Sequence, residues 1–195
     1  MRLLRCGADG VLVEVSSGRE VEAVRRAVRD VAGVVEVVPA ARTVLVVGGG
    51  AGVRAVLADL DPSDVDEAPA REVVLPVVYD GPDLDLVAAT AGITADEVVR
   101  LHVEARYRVA FCGFAPGFAY LTGLPDVLHQ ARLETPRTKV PRGAVGIAGE
   151  YTAAYPRATP GGWRLIGRTD APLFDPDGRA PALLTPGDHV RFEVV

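Results

Sequence analysis

Residues 143–169 read GAVGIAGEYTAAYPRATPGGWRLIGRT. Two short apolar runs, Val145–Ala148 and Trp163–Gly167, are each cut off by Gly or Pro before a helix can develop. The same punctuation extends outward. Tyr107–Phe111 lies upstream, Ala182–Leu184 and His189–Val194 lie downstream, and the segment between is rich in Gly and Pro up to residue 188. Closely spaced short strands with turn residues between them predict a β-barrel or sandwich. Just before this region, Leu84–Ala89 predicts a short helix ending at Gly92. Thr94-Ala95-Asp96-Glu97 has the form of a capping box, in which the hydroxyl accepts from first-turn amides and the Glu reaches back. It opens a helix over about 95–103, with His102 at its partly exposed end.

The first eighty residues follow a different rhythm. Val11, Val13 and Val15 alternate with Leu12, Glu14 and Ser16, the pattern of a half-buried strand. Val21, Val24, Val28 and Val31 form one helical stripe, with Arg25, Arg26 and Arg29 facing out and Gly33 just past the end. Val34–Val38 and Thr43–Val47 are β-branched runs joined by a turn. A helix over about 53–60 and a strand, Glu72–Tyr79, complete the order β-α-β-β-α-β. That order predicts a ferredoxin-like layer. The expected class is therefore α+β, with a small α+β domain over residues 1–80 and a β-rich domain over 81–195. The acidic stretch 61–70 is expected as a loop or linker.

Composition bounds the function. The chain has 195 residues, 49% of them hydrophobic, enough for a core. Its net charge of −5 argues against a general nucleic-acid binder. No apolar run approaches membrane-spanning length, and the start, MRLLRCGADG, lacks the apolar stretch of a secretory signal. Cys6 and Cys112 form no framework, so the expected compartment is the reducing cytoplasm. Charge is unevenly placed: residues 57–97 carry eleven acids and one base, whereas residues 131–168 carry seven bases and two acids. The basic segment reads either as a solvated face or as the surround of an anionic ligand.

Some chemistries are disfavoured. The three serines, Ser16, Ser17 and Ser63, all fall in the first third, away from every histidine. Cys112 follows Phe111 in a strand and reads as a packing thiol. His102, His129 and His189 are dispersed, with no metal-ligand spacing. Gly48-Gly49-Gly50-Ala51-Gly52 lacks both the dinucleotide fingerprint and a Gly-Lys-Ser/Thr, so it reads as a flexible turn.

The densest signals are four blocks. Phe111-Cys112-Gly113-Phe114-Ala115-Pro116-Gly117-Phe118-Ala119-Tyr120-Leu121 interleaves aromatics with Gly and Pro. Thr135-Pro136-Arg137-Thr138-Lys139-Val140-Pro141 leads into Gly143–Gly149. Tyr155-Pro156 through Thr159-Pro160-Gly161-Gly162-Trp163 leads to Ile166-Gly167-Arg168-Thr169. Thr185-Pro186-Gly187-Asp188 precedes the final strand. Over about 102–192 these blocks, in this order, resemble the allophanate hydrolase subunit 1 family, also called KipI or PxpB, the B-type component of prokaryotic 5-oxoprolinase. Residues 1–80 match it only in general layout.

The resemblance implies a cyclophilin-like β-barrel after the small α+β domain. It also implies one component of a complex that opens 5-oxo-L-proline to L-glutamate together with A-type (PxpA) and C-type (PxpC, allophanate hydrolase subunit 2) partners. ATP would be the co-substrate of the complex, with no metal or organic cofactor on this chain. The candidate catalytic residues inside or beside matching blocks are His102 as acid/base or anion donor, and Arg137, Lys139 and Arg168 as holders of a carboxylate or phosphate. Phe114, Pro116, Gly117, Phe118, Tyr120, Pro136, Gly161, Gly162 and Trp163 are candidates for the substrate-binding wall; core and tight-turn roles are the alternative for the aromatics and glycines. His129 and His189 are expected at the surface. Two other functions share the fold: a KipI-type protein inhibitor of a sensor histidine kinase, and half of a urea-carboxylase-like carboxyltransferase whose biotin would sit on another chain.

Overall fold

The computed structural model describes residues 1–61 and 70–195, so most of the expected linker over 61–70 lies outside the described residues. The chain divides into two compact units, Met1–Pro69 and Ala70–Val195. No helix among the described residues is long and apolar enough to cross a membrane.

Among the described residues, the first unit is a four-stranded antiparallel sheet with two helices. Its elements are β1 (Arg2–Cys6), β2 (Gly10–Glu14), α1 (Gly18–Arg29), β3 (Val34–Pro39), β4 (Thr43–Gly48) and α2 (Gly50–Asp59). Period-two alternation turns Val11 and Val13 of β2 and Val44 and Val46 of β4 inward. The α1 stripe of Val21, Val24 and Val28 and the α2 residues Val53 and Leu57 cover them. The start of α1 carries a capping box that sequence reading passed over: Ser17 Oγ accepts from the Glu20 amide, and Glu20 accepts from the Ser16 amide. Arg25 and Arg26, expected to face out, are half-buried and both donate to Glu22.

The strand order is β1-β2-β4-β3. This is the ferredoxin-like arrangement with one correction. The edge position beside β2 is filled by the N-terminal strand β1, antiparallel and in continuous register, rather than by the strand after α2. That later strand, β5 (Glu72–Val77), pairs instead with the last strand of the second unit. The compact first unit accordingly stops about ten residues before the expected boundary at 80.

The second unit contains β5, α3 (Leu84–Ala91), α4 (Ala95–Glu104), β6 (Tyr107–Cys112), β7 (Ala119–Thr122), β8 (Arg137–Val140), β9 (Ala144–Ala148), β10 (Tyr151–Ala154), β11 (Thr159–Gly161), β12 (Arg164–Arg168) and β13 (His189–Val194). Seven strands run in the order β12-β9-β10-β7-β6-β13-β5. The two ends of this series meet: Val78, just beyond β5, exchanges both backbone hydrogen bonds with Arg168 of β12. The sheet is thus a nearly closed barrel, filled by Leu75, Val77, Tyr107, Val109, Leu121, Ile147, Ile166, Val190 and Phe192. Ala182–Leu184, expected as a strand, contributes only an isolated bridge between Phe174 and Ala182. At α4, Thr94 accepts from the Glu97 amide, but the Glu97 carboxylate turns to Arg100 instead of reaching back.

Candidate functional site

The barrel seam creates the candidate site. After Val78 the chain continues along β12: the Gly81 amide donates to Ile166 and the Asp83 amide to Leu165. This contact needs a residue without a side chain at 81, where a Cβ would lie 2.3–2.5 Å from the backbone of 165–167. Gly167 is constrained from the other side, its Cβ position lying 2.6 Å from the Val78 carbonyl oxygen. The segment 80–82 therefore lies directly against β12 and faces β8.

Between them is a cleft of about 320 Å³ lined by Asp80, Gly81, Pro82, Arg137, Lys139, Pro141, Ala144, Leu165, Gly167 and Arg168. Three of the four candidate catalytic residues, Arg137, Lys139 and Arg168, thus share one cleft. Arg137 and Lys139 lie two apart on β8 and so face the same side of the strand. Arg137 donates to Asp83 Oδ1 at 2.6 Å, and the other Asp83 oxygen accepts from the Leu165 amide at 2.7 Å. Arg168 pairs with Asp80 at 2.9 Å, with both side chains about half exposed. Lys139 is exposed and makes no ion pair among the described residues. The cleft therefore offers two cations already balanced by carboxylates, one unbalanced ammonium and an apolar floor of Pro82, Pro141, Ala144 and Leu165. Such a surface suits an anion with an apolar body.

Asp80 and Asp83, which pair with Arg168 and Arg137 at this cleft, were not among the candidates from sequence. The signal was present in the charge asymmetry: the acidic segment supplies the partners of the basic one, across separations of 54 and 88 residues.

The fourth candidate is placed elsewhere. His102 is fully buried inside the barrel, not partly exposed at a helix end. Its Nδ1 lies 2.7 Å from the Tyr79 hydroxyl and its Nε2 2.9 Å from Thr152 Oγ1. Its ring packs on Phe192 with centroids 4.4 Å apart. Burial pushes its pKa down to about 3, so the imidazole is neutral. A residue that carries protons to a ligand must reach it; His102 does not line the cleft. We reassign it to holding α4, Tyr79 and β10 together.

The substrate-wall candidates separate into two sets. Phe118 and Trp163 are core, in a cluster with Tyr155, Val140, Ala144 and Leu165. Phe118 meets Phe114, Tyr120, Tyr155 and Trp163 edge to face at 5.0–5.5 Å. Gly117, at φ +82°, lies beneath Phe174, and Gly161 leaves room for the Tyr155 hydroxyl. Gly162 is buried beside Pro136 and accepts from the Leu133 amide. These residues build the wall's support rather than its surface. Phe114 and Pro116 are exposed, Tyr120 is half-buried, and Pro136 is exposed next to Arg137. Phe114 has φ +68°, the one positive φ at a non-glycine among the described residues, and the residue is 59% exposed. Ala144 and Leu165 belong to both the aromatic cluster and the cleft floor, so the two features are continuous.

Cys112 donates weakly to the Leu184 carbonyl, and burial raises its thiol to about 11, as suits a packing cysteine. Among the described residues no group of three or more His, Cys, Asp or Glu is placed to hold a metal ion.

Residues 1–184 match the family model described as carboxyltransferase domain, subdomain C and D. The chain belongs to this family. It is 52% identical over 133 residues to the 5-oxoprolinase B subunit of Escherichia coli O157:H7, covering 67% of this chain and 61% of that protein. It is 45% identical over 133 residues to the 5-oxoprolinase B subunit of Haemophilus influenzae, covering 67% of this chain and 62% of that one. The chain thus spans about three fifths of the length of these relatives. Urea amidolyase of Saccharomyces cerevisiae is 32% identical over 123 residues, which cover 56% of this chain and 6% of that protein. Among solved structures, TTHA0988 superimposes with a TM-score of 0.83 at 33% identity, over 95% of this chain and 40% of that one.

Proposed function

We propose that this carboxyltransferase-family chain acts as the B-type component of a 5-oxoprolinase, opening 5-oxo-L-proline to L-glutamate with ATP as co-substrate. Its expected partners are proteins of the A and C types, and its expected compartment is the cytoplasm. The observation that carries this reading is the 52% identity over 133 residues to a protein of that name. The likeness to urea amidolyase is lower in identity and covers less of the chain, so the carboxyltransferase alternative is not favoured. No observation favours the kinase-inhibitor alternative.

The chemistry fits the cleft. A lactam resists water because attack breaks amide resonance. Transfer of a phosphoryl group to the lactam oxygen makes the carbon a better electrophile, and both the phosphoryl group and the developing oxyanion need cations or N–H donors around them. Lys139 supplies an unbalanced cation. Arg137 and Arg168 supply planar guanidinium groups held in place by Asp83 and Asp80. The small apolar floor suits a five-membered ring bearing a carboxylate.

The test is ADP release driven by 5-oxo-L-proline, with A- and C-type partners from the same genome, each component omitted in turn and bicarbonate absent. Turnover that requires this chain supports the reading. No turnover from a fully assembled complex refutes it.

A further inference from the structure

Four neighbouring strands set a row of polar side chains across the outer face of the barrel. Glu72 on β5 is registered with His189 on β13, His189 with Arg108 on β6, and Arg108 with Thr122 on β7. Residues opposite one another across a ladder share a face. Alternation brings Arg191 of β13 and Arg106, the residue before β6, to the same side, while Tyr107, Val109, Val190 and Phe192 turn into the core. Together these polar groups line a cleft of about 440 Å³, which shares no lining residue with the Arg137 cleft. Gly123 closes it at φ +105°, in a turn so tight that a Cβ would meet the Arg106 carbonyl oxygen at 2.3 Å.

The charge in this cleft is one-sided: three arginines face one carboxylate, with His189 beside them. Glu72 accepts from Arg191 Nε at 2.8 Å, and Arg191 also reaches Glu193. Arg191 holds the Glu72 carboxyl below its ordinary range, with Arg106 and His189 acting more weakly in the same direction. Arg106 and Arg108 make no ion pair among the described residues. Cations crowded on adjacent strands repel. Glu72, engaged by Arg191, offsets only part of the repulsion among Arg106, Arg108 and Arg191. A bound anion would offset the rest.

We propose that this cleft binds a compact, multiply charged anion of the phosphate class, gripped by Arg106 and Arg108 with His189 and Arg191 beside them. The site is distinct from the Arg137 cleft and does not depend on the 5-oxoprolinase reading. Two sources share this chemistry: a free phosphate or pyrophosphate, and the phosphates of a nucleotide.

Calorimetric titration of the full chain with inorganic pyrophosphate tests the proposal, run on the wild type and on Lys139→Gln so that the other cleft's free cation is removed. Saturable binding is expected to survive Lys139→Gln. In that background Arg106→Gln with Arg108→Gln should weaken it at least about tenfold, the scale of a lost charge-assisted hydrogen bond. Glu72→Gln should tighten it severalfold, whereas Glu36→Gln, the same change of net charge at an exposed residue of the first unit, should not. If the double arginine variant does not fold, His189→Gln and Glu72→Gln carry the test. No binding after Lys139→Gln, or equal responses to Glu72→Gln and Glu36→Gln, overturns the proposal. Competition by ATP identifies nucleotide phosphates as the source, and its absence identifies the free anion.

Discussion

Arg137 and Lys139 lie two residues apart on one strand, yet removing them should have different effects. Arg137 holds the buried Asp83, whose other oxygen is already engaged with Leu165. Arg137→Gln leaves that carboxylate without its cation and should destabilise the chain by about 2–4 kcal/mol in urea unfolding. Lys139 has no such duty, so Lys139→Gln should change stability by less than about 0.5 kcal/mol while lowering 5-oxo-L-proline-driven ATP turnover of the assembled complex. Lys139→Gln is therefore the clean probe of anion binding in the cleft it shares with Arg137 and Arg168, and Arg137→Glu, which would set two carboxylates face to face, is not. His102 makes a pH prediction. Its folded pKa, near 3, lies below the unfolded value of 6.5, so the unfolded chain takes up a proton that the folded chain refuses. This contribution is fully present above pH 6.5 and declines as pH falls from there toward 3, by about 1.4 kcal/mol per unit. Urea unfolding at pH 7.5 and 5.0 should show that loss in the wild type and a shallower one in His102→Gln.

Helices were legible in the sequence because each carries its own signal: the valine stripe of α1 and the Thr94 cap of α4 can be read without knowing any partner. Several strands were not. Ala119–Thr122 and Tyr151–Ala154 have little apolar alternation, and their conformation is imposed by the strands beside them. The site was legible to a similar extent. The block containing Arg137 and Lys139 and the turn containing Arg168 were recognisable, but their gathering depends on the barrel seam, which no local pattern announces. His102 was misplaced for the same reason, since a helix-end histidine reads alike whether the barrel or solvent covers it. The seam supplies an element-scale prediction. Gly81→Ala places a methyl group against the backbone of β12, so the 80–83 segment must lift away. The variant should melt several degrees lower and lose the contribution of Lys139 to turnover, whereas Gly178→Ala, where the nearest atom is 3.3 Å away, should perturb melting far less.

At the scale of the molecule, the acidic and basic halves of the sequence are not two independent solvated faces. Asp80 and Asp83 from the one meet Arg168 and Arg137 from the other. The division into units yields a direct experiment. A fragment of residues 70–195 retains β5 and every strand of the barrel, and should melt cooperatively in calorimetry. A fragment starting at 81, the boundary expected from sequence, lacks the strand that covers one edge of β13 and the Val78 link to β12, and should show no cooperative transition. The pairing of β5 with β13 also has a consequence during synthesis. The strand that opens this unit in the sequence waits for the one made last, 117 residues later by the Glu72–His189 register. The first unit, whose contacts are all nearer in sequence, can fold on the ribosome while the barrel is still an open, unlatched sheet with an edge exposed to other chains. A pause in translation before β13 should prolong that exposure.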